Sequence, residues 1–373
     1  MSESPGAFAA ELAGLDLPAL SAYAAGATDA DVSAALARDR LDLIDLAALL
    51  SPAAGNRLEE LAQRARAVTV QRFGRVVRLF APVYMSNHCL STCAYCGFAK
   101  NLSIARKTLT VDEVEAEARL LAARGFRHLL LVAGEHRIEV SPDYLLDCVR
   151  RLRPFVPSLS IETQTWSDDT YDTLVAAGLE GVVHYQETYQ RERYREVHPI
   201  GWKRDFDRRL NAMERAGRAG AQRLGIGVLL GLAADWRADV LAVGAHAAFL
   251  ARRFWRTEVT VSLPRITAST SGYQPLDAIN DAQYVQAISA LRLFQPTSGI
   301  VLSTRESPRL RDGLVRIAVT HVSAGSSTEP GGYGEPGAAD EQFAISDERS
   351  AEEVAAMLTE AGYEPVFQDA LPL

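Results

Sequence analysis

From Val76 onward, short apolar runs alternate with amphipathic ones, and this alternation restricts the chain more than any other feature. A run of four to eight residues rich in Val, Leu and Ile reads as a buried strand, whereas apolar residues three and four apart read as a helix with one dry face. Repetition of that pair predicts a parallel sheet covered by helices. The candidate strands are Val77–Tyr84, His128–Ala133, Leu159–Gln164, Gly181–Glu187, Leu224–Leu230, Glu258–Leu263, Ile300–Thr304 and a weaker one near Thr320–Ser323. Eight strands can close a ring.

Helix punctuation between the strands agrees. Thr110 and Glu113 form a capping-box pattern before Val111–Ala123, and Gly125 follows as a stop. Ser141 then Pro142 opens the next helix, and Ser167 and Gly178 bracket Asp168–Ala177. The fold class is therefore α/β, a (β/α) TIM-type barrel. Residues 1–72, rich in Ala and Leu with periodic stretches at Asp31–Ala37 and Leu41–Leu50, predict an N-terminal helical extension. Residues 73–325 are the barrel, and 326–373 a C-terminal extension of loop and helical tail packed on it. The Gly/Pro-rich stretch Glu329–Ala339 reads as a loop, either a lid or a partner-facing segment.

With 373 residues, 48% of them hydrophobic, the chain can bury a large core as a single domain with terminal additions. The formal net charge is −8 and no Lys/Arg run stands out, so no nucleic acid and no anionic membrane is expected as a partner. The expected substrate is a small molecule. Neither a charged n-region with an apolar core nor a long apolar span is present, which predicts a cytoplasmic protein.

Barrels of this class collect their reacting groups at the C-terminal ends of the strands. Directly after the first strand, three of the four cysteines, Cys89, Cys93 and Cys96, fall within eight residues. A disulfide framework needs an oxidising compartment. Structural zinc wants four ligands, usually as two separated pairs, and His88 adjoins Cys89 where side chains of an extended run diverge. Three thiolates on one loop instead suit a [4Fe–4S] cluster with its fourth iron open. Cys148, inside a helical run, reads as a small core residue. His184, His198 and His321 show no ligand spacing and read as structural or surface residues.

The spacing Cys-x3-Cys-x2-Cys, with Tyr95 before the third cysteine, resembles the radical S-adenosylmethionine (SAM) superfamily. That resemblance implies a radical SAM barrel in which SAM chelates the open iron and Tyr95 belongs to the cofactor site. Strand two ends in Ala133-Gly134-Glu135-His136, similar to the superfamily's Gly-Gly-Glu motif, which implies that Gly134 and Glu135 receive the SAM amino group. Ala133 replaces the first glycine while staying small. Gln186 and Glu187 end strand four and are implied to meet the ribose or the methionyl part of SAM. Arg209, whose planar fork can bind a carboxylate through two bonds, is the family match for the SAM carboxylate. Gly225 and Gly227 in strand five admit a close neighbour, either adenine, with Leu229 as an apolar wall, or a tightly packed helix.

A longer set of matches resembles one family within the superfamily, the 2-iminoacetate synthases, tyrosine lyases of thiamine biosynthesis. The matching stretches include Val83-Tyr84-Met85-Ser86-Asn87, Tyr185-Gln186-Glu187-Thr188-Tyr189, Ser303-Thr304-Arg305-Glu306-Ser307-Pro308, Pro330-Gly331-Gly332-Tyr333 and Glu341-Gln342-Phe343. The resemblance implies a lyase that splits the Cα–Cβ bond of L-tyrosine to 2-iminoacetate (dehydroglycine) and p-cresol. Reductive cleavage of SAM to methionine and 5′-deoxyadenosine would start it, with a hydrogen atom taken from the tyrosine amino group. It also implies an external electron donor and makes a thiazole synthase a useful partner for the fragile imine. Arg305 is the implied clamp for the substrate carboxylate, with Tyr84 and Ser323 beside it. Its neighbour Glu306 points the other way along the strand and should not pair with it. The family's Pro-Arg-Leu-Arg-Pro becomes Pro264-Arg265-Ile266-Thr267-Ala268, with Thr267 for the second arginine, so a lyase for another aromatic amino acid such as tryptophan is the alternative. A related hydrogenase maturation lyase carries a second cluster on C-terminal cysteines; no cysteine follows Cys148 here, which argues against that activity.

Overall fold

The computed structural model describes residues 6–368. Eight parallel strands close a barrel: β1 Val76–Ser86, β2 His128–Ala133, β3 Ser158–Glu162, β4 Gly181–Glu187, β5 Arg223–Val228, β6 Glu258–Ser262, β7 Gly299–Leu302 and β8 His321–Ser323. Neighbours follow chain order, and β1 closes the ring by pairing with β2 (Ala81 opposite Leu129) and with β8 (Leu79 opposite Val322). The expected capping at Thr110, Ser141 and Ser167 is present: each side chain accepts a backbone N–H of the first turn of Val111–Ala123, Pro142–Leu152 and Asp168–Ala176.

Three strand ends fall short of expectation, whereas β1 runs past the predicted Tyr84 to Ser86. Strands three, five and seven stop at Glu162, Val228 and Leu302, two residues short of the predicted Gln164, Leu230 and Thr304. The apolar or small residues beyond those points leave the ladder at the rim. There Thr163, Leu229, Ser303 and Thr304 line a cavity and do not continue the sheet.

Before β1, six helices from Ala7–Ala13 to Leu58–Phe73 pack outside the barrel, chiefly on Trp236–Arg253 and Asp281–Phe294. Phe8 lies flat on His246, with ring centroids 4.1 Å apart and planes 5° apart. After β8 the chain crosses the rim, forms helix Ala351–Glu360 and adds β9, Glu364–Val366, parallel to the start of β1. The sequence pattern did not predict that ninth strand. Three residues without apolar alternation carry no period. The Glu329–Ala339 loop is anchored outside the barrel: Tyr333 and Gly334 donate backbone N–H groups to Glu117 (3.0 and 2.8 Å), and the Tyr333 hydroxyl donates to the Pro82 carbonyl. It is residues 340–346 that cross the rim. The Asn87 amide donates to the Asp340 carbonyl, Gly97 N–H to the Gln342 carbonyl, Ala344 N–H to the Ala268 carbonyl and Ser346 N–H to the Thr304 carbonyl. Among the described residues no helix is long and apolar enough to cross a membrane.

Candidate active site

A cavity opens at the C-terminal ends of the strands. Cys89, Cys93 and Cys96 line it together with Tyr84, Tyr95, Gly134, Glu135, Glu187, Arg209, Leu229, Arg305 and Ser323.

The cysteine loop is held from outside by Arg106, whose guanidinium donates to the carbonyls of Asn87 (2.6 Å), Phe98 (3.1 Å) and Ala99 (2.7 Å). Its glycine cannot be replaced cheaply, because a Cβ on Gly97 would lie 2.4 Å from the Gln342 carbonyl oxygen. Gly134 has a similar reason: a Cβ there would meet the His88 carbonyl at 2.4 Å, so strand two and the cysteine loop touch through it. Backbone N–H groups of Ser91 and Phe98 donate to the sulfurs of Cys89 and Cys96, each at 3.4 Å. Burial pushes all three thiols up, Cys89 to about 11. Free of metal they are therefore protonated at neutral pH, and loading iron must release those protons.

The groups around this loop are paired with one another. Arg209 is buried, not an exposed helix arginine, and donates from Nη1 to Glu135 (3.0 Å) and from Nε to the Tyr185 carbonyl (2.6 Å). Glu135 also accepts from the Ser91 hydroxyl at 3.2 Å. Glu187 sits at φ +69°, the one non-glycine left-handed residue among those described, and accepts from Lys203 Nζ at 2.6 Å. Burial works against its charge, but Lys203 and Arg209 outweigh it and hold the carboxyl below its ordinary value. Tyr95 bonds through its hydroxyl to His198 Nε2 (2.8 Å), whose Nδ1 bonds the Tyr194 carbonyl (2.8 Å). The ring is thus neutral, with burial holding it far below its ordinary value. His198 is a buried second support of Tyr95, while His184 bonds Tyr171 in the core and His321 lies at the opposite end of the barrel near Glu258.

One sequence expectation is corrected. Gln186 does not line the cavity; it is buried among the outer helices and donates to the Phe206 carbonyl at 3.3 Å. Adjacent strand residues face opposite sides, so Gln186 and Glu187 could not both look inward. Tyr185 and Glu187, two residues apart, share the inward face and both line the cavity.

Across the cavity the charges are unpaired. Arg305 donates to the Thr267 hydroxyl at 3.3 Å and lies over the Phe343 ring at 3.4 Å, but no carboxylate pairs with it among the described residues. Burial pulls its pKa down, the direction expected of a guanidinium lacking an anion. Glu306 pairs with Arg265. Thr267, which stands where the resembled family has its second arginine, thus touches Arg305 directly. The Tyr84 hydroxyl donates to Gln342 Oε1 at 2.7 Å, and the Gln342 amide reaches Cys96 Sγ at 3.9 Å. Ser323 lines the same wall.

Five participants escaped sequence reasoning. Lys203 and Arg106 had no local signal, while Gln342 and Phe343 lay in the matching stretch Glu341-Gln342-Phe343 but were given no role. Glu162 did have one, as an acid at the C-terminal end of a barrel strand, but extending strand three to Gln164 hid it.

The chain matches the family model of the radical SAM superfamily over residues 83–241 and that of the Biotin and Thiamin Synthesis associated domain over 262–364. It is 43% identical to 2-iminoacetate synthase of Escherichia coli, over 92% of this chain and 91% of that protein. The Salmonella typhimurium 2-iminoacetate synthase is 42% identical over the same shares. Among solved structures, HydG, a maturase of the [FeFe]-hydrogenase, superposes with a TM-score of 0.87 at 30% identity, covering 94% of this chain and 79% of that one. A [4Fe–4S] cluster and SAM are the cofactors of the superfamily, and the thiol trio beside a charge-lined cavity fits both. Its own motifs, its barrel and these relatives place the chain in the 2-iminoacetate synthase family of radical SAM enzymes.

Proposed function

We propose that this enzyme cleaves the Cα–Cβ bond of L-tyrosine to 2-iminoacetate and p-cresol, supplying the two-carbon imine for thiamine's thiazole ring. The observation that carries the reading is Arg305, a half-buried guanidinium without a carboxylate partner among the described residues, facing the cavity that the three cysteines also line. When bound, the cluster and SAM supply a 5′-deoxyadenosyl radical able to take a hydrogen atom from the substrate.

The chain's own residues do the rest. Cys89, Cys93 and Cys96 hold three irons. Glu135, Glu187, Arg209 and Tyr95 bind SAM, with Leu229 against the adenine. Arg305, with Tyr84 and Ser323, fixes the amino acid by its carboxylate. Holding the reacting atoms in register converts an encounter into an intramolecular step. The strap over residues 340–346 keeps water from the radical. The imine product suits hand-over to a thiazole synthase, and the electron comes from an external donor. Reduced thiols and a reducible cluster suit a cytoplasmic setting.

The test is anaerobic turnover of cluster-reconstituted protein with SAM, dithionite and either tyrosine or tryptophan. Tyrosine-dependent p-cresol is expected. Deoxyadenosine without p-cresol, rising with tryptophan, would instead favour the second reading, which rests on Thr267 standing against Arg305.

A further inference from the structure

The cavity holds a carboxylate with nothing to do in the scheme above. Glu162 ends β3, opposite Val132 of β2, and its side chain lines the cavity. The other two carboxylates there are paired, Glu135 with Arg209 and Glu187 with Lys203. No hydrogen bond or ion pair reaches Glu162 from the described residues, and its remaining exposure is to the cavity. A half-buried carboxylate without a partner is costly to keep unless a ligand supplies one.

Its position selects the ligand group. Glu135, two residues past β2, and Glu187, the last of β4, flank β3, so Glu162 stands beneath the side of the ring that receives SAM. Arg305 follows β7, four strands around the ring and so opposite. A substrate whose carboxylate is at Arg305 must turn toward β2–β4 the group from which hydrogen is taken. For an amino acid reacting at nitrogen, that group is the α-amino group. An ammonium must first lose a proton to offer a neutral amine.

We propose that Glu162 is a catalytic residue that binds the α-ammonium of the substrate and accepts its proton. One N–H bond breaks and one O–H bond forms, the electron pair stays on nitrogen, and nothing is oxidised or reduced. The products are a neutral amine and a protonated Glu162. This inference rests on the tyrosine reading given above. The charged and titratable groups facing Glu162 are Glu187, Lys203, Arg209, Arg305, Tyr84 and Tyr185. Burial first and Glu187 second push its carboxyl up to about 7, against Lys203, Arg209 and Arg305. A base so poised is matched to neutral pH.

The test measures equilibrium binding to cluster-reconstituted protein without SAM. Its ligands are tyrosine, phenylalanine, which lacks the phenol oxygen, and 3-(4-hydroxyphenyl)propionate, which lacks the amine. Glu162→Gln should weaken tyrosine and phenylalanine alike by roughly 10- to 100-fold and leave hydroxyphenylpropionate unchanged. Glu162→Asp, which keeps the charge, should recover part of the loss. In turnover, kcat/KM of the unsubstituted enzyme should rise with pH through about 7, because only the ionised carboxylate accepts a proton, and the Gln variant should lose that limb. A loss confined to the ligands bearing a phenol oxygen would overturn the proposal by placing Glu162 at the ring, and so would unchanged binding. If the unsubstituted enzyme makes no p-cresol, the tyrosine reading falls. The same comparison, run with tryptophan against indole-3-propionate, then decides the role of Glu162.

Discussion

The two sides of the cavity treat charge differently. At the rim read as the cofactor side, charged groups have partners from the chain: Glu135 with Arg209, Glu187 with Lys203. The groups read as meeting the substrate do not: Arg305 across the cavity has a hydroxyl and an aromatic face but no anion, and Glu162, beneath that rim, stands unpaired among the described residues. Pairing within the protein fixes a site's shape before anything binds; leaving a charge open keeps its energy for the ligand. One side is therefore built as a scaffold and the other as a receptor, and removing a charge should damage them in different ways.

The largest effect is expected at the scaffold's metal end. Cys93→Ala should abolish deoxyadenosine formation and lower iron and sulfide per chain. Retained SAM cleavage would show that the trio is not the ligand set. Next, Arg209→Ala strands Glu135 without its buried partner and should cost about 3–5 kcal/mol of stability in urea unfolding of the metal-free protein. Arg305→Ala tests the opposite behaviour. It should reduce kcat/KM for tyrosine by about 30-fold or more while uncoupled deoxyadenosine formation persists, and it should cost far less stability than Arg209→Ala. Equal stability losses for the two arginines would erase the distinction between the sides. The smallest effect is at the seam. Gln342→Ala removes the acceptor of the Tyr84 hydroxyl and should cost about 0.5–1.5 kcal/mol in unfolding, with p-cresol per deoxyadenosine falling as Tyr84 loosens.

The same division marks what the sequence made legible. The side read as the cofactor's is written in contiguous stretches: the cysteine loop, Ala133-Gly134-Glu135 and Tyr185-Gln186-Glu187 each end or follow a strand that its apolar run announces. Even there the pattern misled at Gln186, because a residue motif does not say which of two neighbours faces inward. On the substrate side the strand end giving Arg305 was readable, but Gln342 and Phe343 reach it from a segment without periodicity. Lys203 meets Glu187 across sixteen residues that include the short helix Arg191–Val197. Long-range contacts of polar side chains leave no period for sequence reasoning to find. The barrel was legible because hydrophobic alternation is local and repeated; β9 was not, since three residues cannot establish a repeat.

The strap formed by residues 340–346 joins both sides. It is tied to the cysteine loop at Asn87 and Gly97 and to the substrate rim at Ala268 and Thr304. Order in one segment serving two sites makes their occupancies thermodynamically linked, and such linkage is reciprocal. Whatever affinity for the amino acid is gained when the cluster settles the loop, the bound amino acid must return as tighter retention of the cluster. An enzyme built this way keeps its iron best while it has work to do.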